Sequence, residues 1–264
     1  MKVYMVTDME GVAGVVSFQR QSYPDGKYYE EAKTLVTAEV NAAIDGLLDA
    51  GVKDVLVEDG HGAGGIRFED LHPAAKLLHG SPWPPRSRLD EVISQYDVVV
   101  IVGQHAQAGL PTGNQNHTNS SQTIDHYKIN GKLIGEIGQI ALSAGTFGLP
   151  LIFLSGDLDA CIETEDLISG VTTVAVKQGL GRGSAISLSA LESRRLIRDG
   201  ISRAIEKQRI DPIPALVWPG PFVLEKRYFH TDVVDEIASQ PGVERVDSQT
   251  VRWHSDNIAE IIWM

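Results

Sequence analysis

Asp8 and Glu10 offer the most chemistry in this sequence. They close the run Val3-Tyr4-Met5-Val6-Thr7-Asp8-Met9-Glu10-Gly11. Spaced two apart, they point the same way along an extended chain. Two anions aimed at one spot repel unless a cation lies between them. Hard divalent metals with oxygen and imidazole ligands suit such a spot. Acids are also common at solvated strand-to-loop turns, so this pair alone decides nothing. Two further apolar runs end in histidines, at Glu58-Asp59-Gly60-His61 and Gly103-Gln104-His105. Glu136 opens a helical pattern just after an Asn-Gly turn, close enough in sequence to swing back towards the same crevice.

Acids and histidines without cysteine suit catalytic zinc, manganese or iron better than a structural zinc. Four or five ligands exceed what one catalytic metal needs. The economical arrangement is two metals roughly 3.5–4 Å apart sharing a carboxylate. Such a pair lowers the pKa of a shared water, so that hydroxide is available near neutral pH. One metal polarises a scissile carbonyl while the other holds a free amine. A further group must move protons. His117 is the candidate, since an ordinary histidine titrates at about 6.5. A lone histidine at a strand end is more often a hydrogen-bonded loop residue. His72, His79, His126, His230 and His254 keep that bland reading. Asp59 orients His61 or caps a helix, and Asp157 lies at the rim of the site or caps a strand end.

The elements that must position these residues follow from hydrophobic periodicity. Val3–Thr7, Val55–Val57, Asp97–Val102 and Leu151–Leu154 read as buried strands. Tyr29–Ala50 carries the helical stripe Ala32, Leu35, Val36, Val40, Ala43, Ile44, Leu47 and Leu48, and Gly51 stops it. Strand, helix and strand of this length form a parallel unit, which brings the carboxyl ends of the strands together. Ligands bind there in open α/β sheets. Residues 11–28 and 106–124 read as loops, and 70–95 as a short helix, a Pro-rich loop and another helical piece. Asn130-Gly131 turns a hairpin. Helices are expected from Glu136 to Phe147, over 159–169 and from Ser189 to Lys207, with a strand at Val171–Val176. After Pro212 and Pro214, strands are expected at Ala215–Trp218, Phe222–Leu224, Val243–Val246 and Thr250–Trp253. The expected fold is therefore α/β: a three-layer sandwich with a mostly parallel central sheet over residues 1–208, plus a smaller α+β portion over 209–264.

Composition excludes several partners. The formal net charge of −12 argues against nucleic acid and against an anionic membrane surface. One cysteine, Cys161, allows no internal disulfide and reads as a buried apolar residue. No secretory leader and no long apolar run stand out, so a cytoplasmic location is expected.

Two other glycine-rich stretches compete. Gly60, Gly62 and Gly65 fit the spacing of a dinucleotide-binding turn after a strand, which would make the chain an NAD(P)-dependent oxidoreductase. No clear helix follows and no acid ends a strand about 20 residues on. Gly179-Leu180-Gly181-Arg182-Gly183 lacks the Gly-Lys-Ser/Thr ending of a phosphate loop. It reads as a flexible connector or as a loop lining a neighbouring subunit's site. A non-catalytic oligomeric scaffold of the same fold is the third class.

Taken in order, Asp8-Met9-Glu10-Gly11, Val57-Glu58-Asp59-Gly60-His61, Gly103-Gln104-His105-Ala106, His117-Thr118, Gly135-Glu136-Ile137-Gly138 and Ala175-Val176-Lys177-Gln178 resemble the M55 family of zinc D-aminopeptidases. The likeness covers nearly the whole chain and weakens after about residue 205. It implies a di-zinc site, with Asp8 bridging, Glu10 and His61 completing one zinc, and His105 and Glu136 the other. His117 matches the family's catalytic histidine. The implied activity is release of N-terminal D-residues such as D-alanine from short peptides or amides. The implied assembly is a ring-shaped homo-decamer with its sites facing an enclosed cavity.

Overall fold

The computed structural model describes residues Met1–Met264. The chain enters the core at once. In β1 (Lys2–Thr7) every residue after Lys2 is buried. A long loop with one π-type turn at Phe18–Ser22 leads to α1 (Tyr29–Asp49). Its expected stripe faces the core, with Leu35 and Leu48 only half-buried at its edge, and Gly51 (φ 77°) ends it by donating to the Leu48 carbonyl at 2.8 Å. Then come β2 (Asp54–Asp59), β3 (Ala75–Leu78), α2 (Arg86–Ile93) and β4 (Val98–Gln104). The hairpin β5 (Ile124–Ile129) and β6 (Lys132–Ile134) precedes α3 (Glu136–Gly145). Next are β7 (Leu151–Asp157), α4 (Leu158–Leu167), β8 (Thr172–Gly181), β9 (Ser184–Ser187) and α5 (Ala190–Ile210). The chain ends with β10 (Phe222–Tyr228), α6 (Thr231–Ile237), β11 (Glu244–Arg245), β12 (Thr250–Ser255) and α7 (Ile258–Ile261).

A seven-stranded sheet runs β3-β2-β1-β4-β7-β8-β9, parallel except for β9. One apolar cluster packs α1 and α5 on one face, and a second packs α2, α3 and α4 on the other. These are the three layers expected from the sequence. Thr7 pairs with Asp59 on one side and with Val102 on the other, so three strands end level. A second, antiparallel sheet runs β11-β12-β10-β5-β6 over its own core of Ile129, Leu224, Val251 and Trp253. The hairpin β5–β6 pairs with β10, so this sheet draws on residues either side of 208. Leu142 of α3 joins that core while Ile137 and Ala141 join the other, so α3 packs against both layers.

Three local expectations change. The first piece of 70–95 is not a helix but the edge strand β3, paired with β2 from Val55↔Ala75 to Glu58↔Leu78. Its side chains alternate across the sheet: Ala75 and Leu77 pack on one cluster and Leu78 on the other. The glycine-rich 179–183 stretch is no loose connector: its first three residues end β8, and Arg182 and Gly183 turn the chain into β9. Ala215–Trp218 forms no strand. It presses on α3, where a Cβ on Gly145 would lie 1.9 Å from the Leu216 carbonyl oxygen.

Candidate metal centre

The ladder between β1 and β4 continues past the end of β1. Asp8 N–H donates to Val102 O at 2.9 Å, and Gly11 N–H to Gly103 O at 2.7 Å. Gly103 adopts φ 83°, and a Cβ there would sit 2.2 Å from the Asp8 carbonyl oxygen. Only glycine lets the two chains approach this closely. The approach brings Asp8 and His105 to one crest. On the other side, Asp59 accepts the amides of Gly65 and Ile66 at 2.7 and 3.1 Å. That folds the turn after β2 and carries His61 back over β1. Asp59 thus ties this turn together; it neither partners the His61 ring nor caps a helix. Glu136 arrives from the opposite direction, in the first turn of α3.

These side chains form two clusters of possible ligands: Asp8, Glu10 and His61, and His105, His117 and Glu136. Within each, the candidate atoms lie within 4.8 Å of one another. Asp8 faces both. Its Oδ1 is 3.4 Å from His61 Nδ1, and its Oδ2 is 3.2 Å from His105 Nε2. His61 Nδ1 also lies 3.0 Å from Glu10 Oε2. His105 Nε2 lies 3.4 Å from Glu136 Oε1, and His117 Nε2 lies 3.9 Å from the same oxygen. The His105 and His117 rings stack at 3.9 Å. All six residues singled out in the sequence therefore share one crevice.

Each histidine is oriented by a carbonyl on its outer nitrogen. His61 Nε2 lies 2.8 Å from Ser22 O, His105 Nδ1 2.9 Å from Ala106 O, and His117 Nδ1 2.9 Å from Gln115 O. In each case the other nitrogen faces the acids, as metal-binding histidines are held. His105 Nε2 is buried and makes no hydrogen bond, because its 3.2 Å approach to Asp8 is poorly aligned for one. A buried nitrogen aimed between two carboxylates fits a cation placed between them. The donor set of three carboxylates and two or three imidazoles fits divalent zinc.

Electrostatics point the same way. Burial, then the charge of Glu10, pushes the Asp8 carboxyl up to about 7. Burial also opposes ionisation of Glu10 and Glu136, but the neighbouring histidines overcome it. His61 holds Glu10 well below the usual carboxylate range, and His105 holds Glu136 down at about 2. The histidines respond in kind. Burial opposes their charge, yet Glu10 holds His61 well above its ordinary value, and Glu136 pushes His105 up to about 10. His117 goes the other way, down to about 4, through burial and the adjacent His105 charge. Crowded acids here demand positive charge, and His117 stands apart as a neutral base.

Sequence reasoning missed the residues that hold this arrangement. Gln104 Nε2 donates to Asp8 Oδ2 at 3.3 Å and to Glu136 Oε2 at 3.5 Å. The Asn119 amide donates to Glu136 Oε1 at 2.7 Å. Lys177, buried on β8, donates to the Glu10 carbonyl, to Val15 O at 2.6 Å and to Asn114 Oδ1 at 2.8 Å. Burial lowers its ammonium to about 8. Asp157 accepts the Asn114 amide at 2.8 Å, and Arg182 O accepts the Gln115 amide at 2.9 Å. The tip of the β8–β9 hairpin thereby pins the His117 loop of its own chain. Gln104 adjoins His105, and Lys177 lies within one of the motifs; that nearness could have singled them out but assigns neither a role. Backbone carbonyls carry no residue-type signal at all.

The sequence pattern of the peptidase M55 family, described as D-aminopeptidase, matches residues 1–264. The chain belongs to the peptidase M55 family. A D-aminopeptidase of Bacillus subtilis (strain 168) is 30% identical over 264 residues, covering 98% of this chain and 93% of that one. The solved zinc-dependent D-aminopeptidase DppA of Bacillus subtilis, a self-compartmentalizing protease, superposes with a TM-score of 0.91 at 30% identity. That superposition covers 100% of this chain and 94% of the other. This M55 chain is therefore an enzyme of the D-aminopeptidase type, and the dinucleotide alternative falls. After Gly60 the backbone makes only a turn and a three-residue 3₁₀ segment at Phe68–Asp70, with no helix N-terminus to hold a pyrophosphate. No helix is long and apolar enough to cross a membrane.

Proposed function

We propose that this chain hydrolyses N-terminal D-residues from short peptides or aminoacyl amides, using two zinc ions per subunit. Asp8, Glu10 and His61 would hold one ion, and Asp8, His105 and Glu136 would hold the other. The observation that carries this reading is the division of one Asp8 carboxylate between two ligand clusters, at 3.4 and 3.2 Å. Bound there, a divalent pair supplies Lewis acidity to a carbonyl and makes a water easier to deprotonate near neutral pH.

The chain's own residues supply the rest. The Nδ1–H of His117 donates to Gln115 O, which leaves the Nε2 lone pair facing the crevice. That nitrogen can take a proton from water and return it to the departing amine. Neutral at pH 7, it is ready to accept. A second reading, favoured by its grouping with His105 and Glu136, makes His117 a ligand.

Assembly into a closed oligomer, a decamer by family likeness, is part of the proposal. The self-compartmentalizing relative supports it. So does the row of exposed Leu180, Ile186, Leu188 and Leu191 along the β8–β9 hairpin and the start of α5.

A panel of D- and L-aminoacyl amides tests the reaction. D-substrates should turn over, EDTA should stop turnover, and zinc should restore it. Preference for L-residues, or indifference to EDTA, would overturn the proposal.

A further inference from the structure

A cavity of 470 Å³ opens beside Asp8, Gln104 and Glu136 and runs between the sheet and helices α2 and α3. Its walls are Val6 and Val99 of the sheet, Leu89 and Ile93 of α2, and Ile140 and Ala144 of α3. Trp83, Pro84, Trp263 and the carboxyl group of Glu58 also line it. Trp263 is fixed in place: its Nε1 donates to Ser143 Oγ at 3.3 Å, and the Arg86 guanidinium stacks over its ring at 5.4 Å. Arg86 is itself satisfied, with Nε 2.7 Å from Asp90 Oδ1 and Nη2 2.5 Å from Ser143 Oγ. It is wall, not bait for a free carboxylate. A polar space of 380 Å³ beside His117 is lined also by Asn116, Gln122, Asp125, Arg182 and His230.

The two spaces suit different parts of a peptide. The departing chain carries amides and a carboxylate, which need hydrogen-bonding partners, and the polar side offers them. The apolar side offers burial. It is far larger than a methyl group needs, and a loosely filled apolar pocket contributes little selectivity.

We propose that the 470 Å³ cavity receives the side chain of the residue being removed and selects large apolar or aromatic N-terminal D-residues over D-alanine. This rests on the aminopeptidase reading above and narrows its substrate class. Selectivity then comes from side-chain surface removed from water between α2 and α3.

The test uses zinc-loaded full-length protein with D-Ala, D-Leu, D-Phe and D-Lys p-nitroanilides, which share one leaving group. kcat/KM for D-Leu and D-Phe should exceed that for D-Ala by roughly tenfold or more. Ile140→Trp narrows the cavity and should cut the D-Phe to D-Ala ratio by roughly tenfold or more. Ala144→Leu serves if that variant fails to fold. A preference for D-Ala, an unmoved ratio, or D-Lys as best substrate drawn by the unpaired Glu58 would overturn the proposal. A parallel series of D-Ala-X dipeptides that discriminates by the size of X would place the leaving group in the cavity and overturn it too. If no amide is hydrolysed, the aminopeptidase reading fails on its own. Calorimetry then decides the cavity: D-phenylalanine must bind about tenfold more tightly than D-alanine, and Ile140→Trp must abolish the difference. Equal binding would sink it.

Discussion

The two halves of the metal centre are built by different means. Asp8, Glu10 and His61 follow within three residues of two neighbouring parallel strands whose ladder runs to Thr7↔Asp59, so sheet hydrogen bonds bring their chains together. His105, His117 and Glu136 come from a strand end, a loop and the first turn of a helix. Nothing in a shared ladder aligns them. Their spacing depends on tethers: Gln104 on Glu136, the Asn119 amide on Glu136, and the Arg182 carbonyl on the His117 loop. The first half inherits its geometry from the fold, while the second must be assembled. A site of this kind should lose its second half first when its supports are cut.

Asp8→Ala tests the join between the halves and should have the largest effect. Both ions should be lost and turnover should fall below detection, as read by metal analysis and by rate. Retention of either ion would mean that the halves are independent.

His117→Ala separates chemistry from binding within the second half. Turnover should fall about 10²–10⁴-fold while metal content stays unchanged. Loss of metal as well would move His117 into the ligand shell.

Gln104→Ala cuts a tether without touching a proposed ligand. Zinc affinity should weaken about 10–100-fold, with the second equivalent dissociating first in a chelator titration. Equal weakening of both equivalents would contradict the contrast between the halves.

The smallest effect lies behind the first half, at Glu39 of α1. This acid is buried between the Ala13 amide at 3.1 Å and the Ser193 hydroxyl at 2.9 Å, and burial pushes its carboxyl up from 4.5 to about 7. Its folded-state value lies above its unfolded one. Its contribution to stability is therefore complete below pH 4.5 and is lost as pH rises through about 7. Glu39→Gln should flatten that loss, by a few degrees of melting temperature on the order expected for ~1 kcal/mol or more. A melting profile with the same slope as the parent would contradict the assignment.

The same contrast explains what could be read from the sequence. Parallel strands announce themselves by apolar runs, and their topology forces the carboxyl ends together. Asp8, Glu10, His61 and His105 were legible for that reason, and the three-layer fold with them. Glu136 was legible because Asn130-Gly131 fixes a tight hairpin just ahead of it (φ 50° and 78°). The supports were not. Lys177 lies 167 residues from the Glu10 carbonyl that it holds, and no local pattern spans that distance. The carbonyls of Ser22, Ala106 and Gln115 belong to residues of no particular chemical type. The edge strand β3 was hidden because four residues, three half-buried and Lys76 exposed, match a helix turn as well as a strand.

Zinc content per chain tests the central claim most directly. Protein loaded with excess zinc, freed of loose ions by gel filtration and measured by plasma mass spectrometry should retain about two equivalents. One equivalent or none, from folded protein, would contradict a centre in which a single aspartate is shared between two ions.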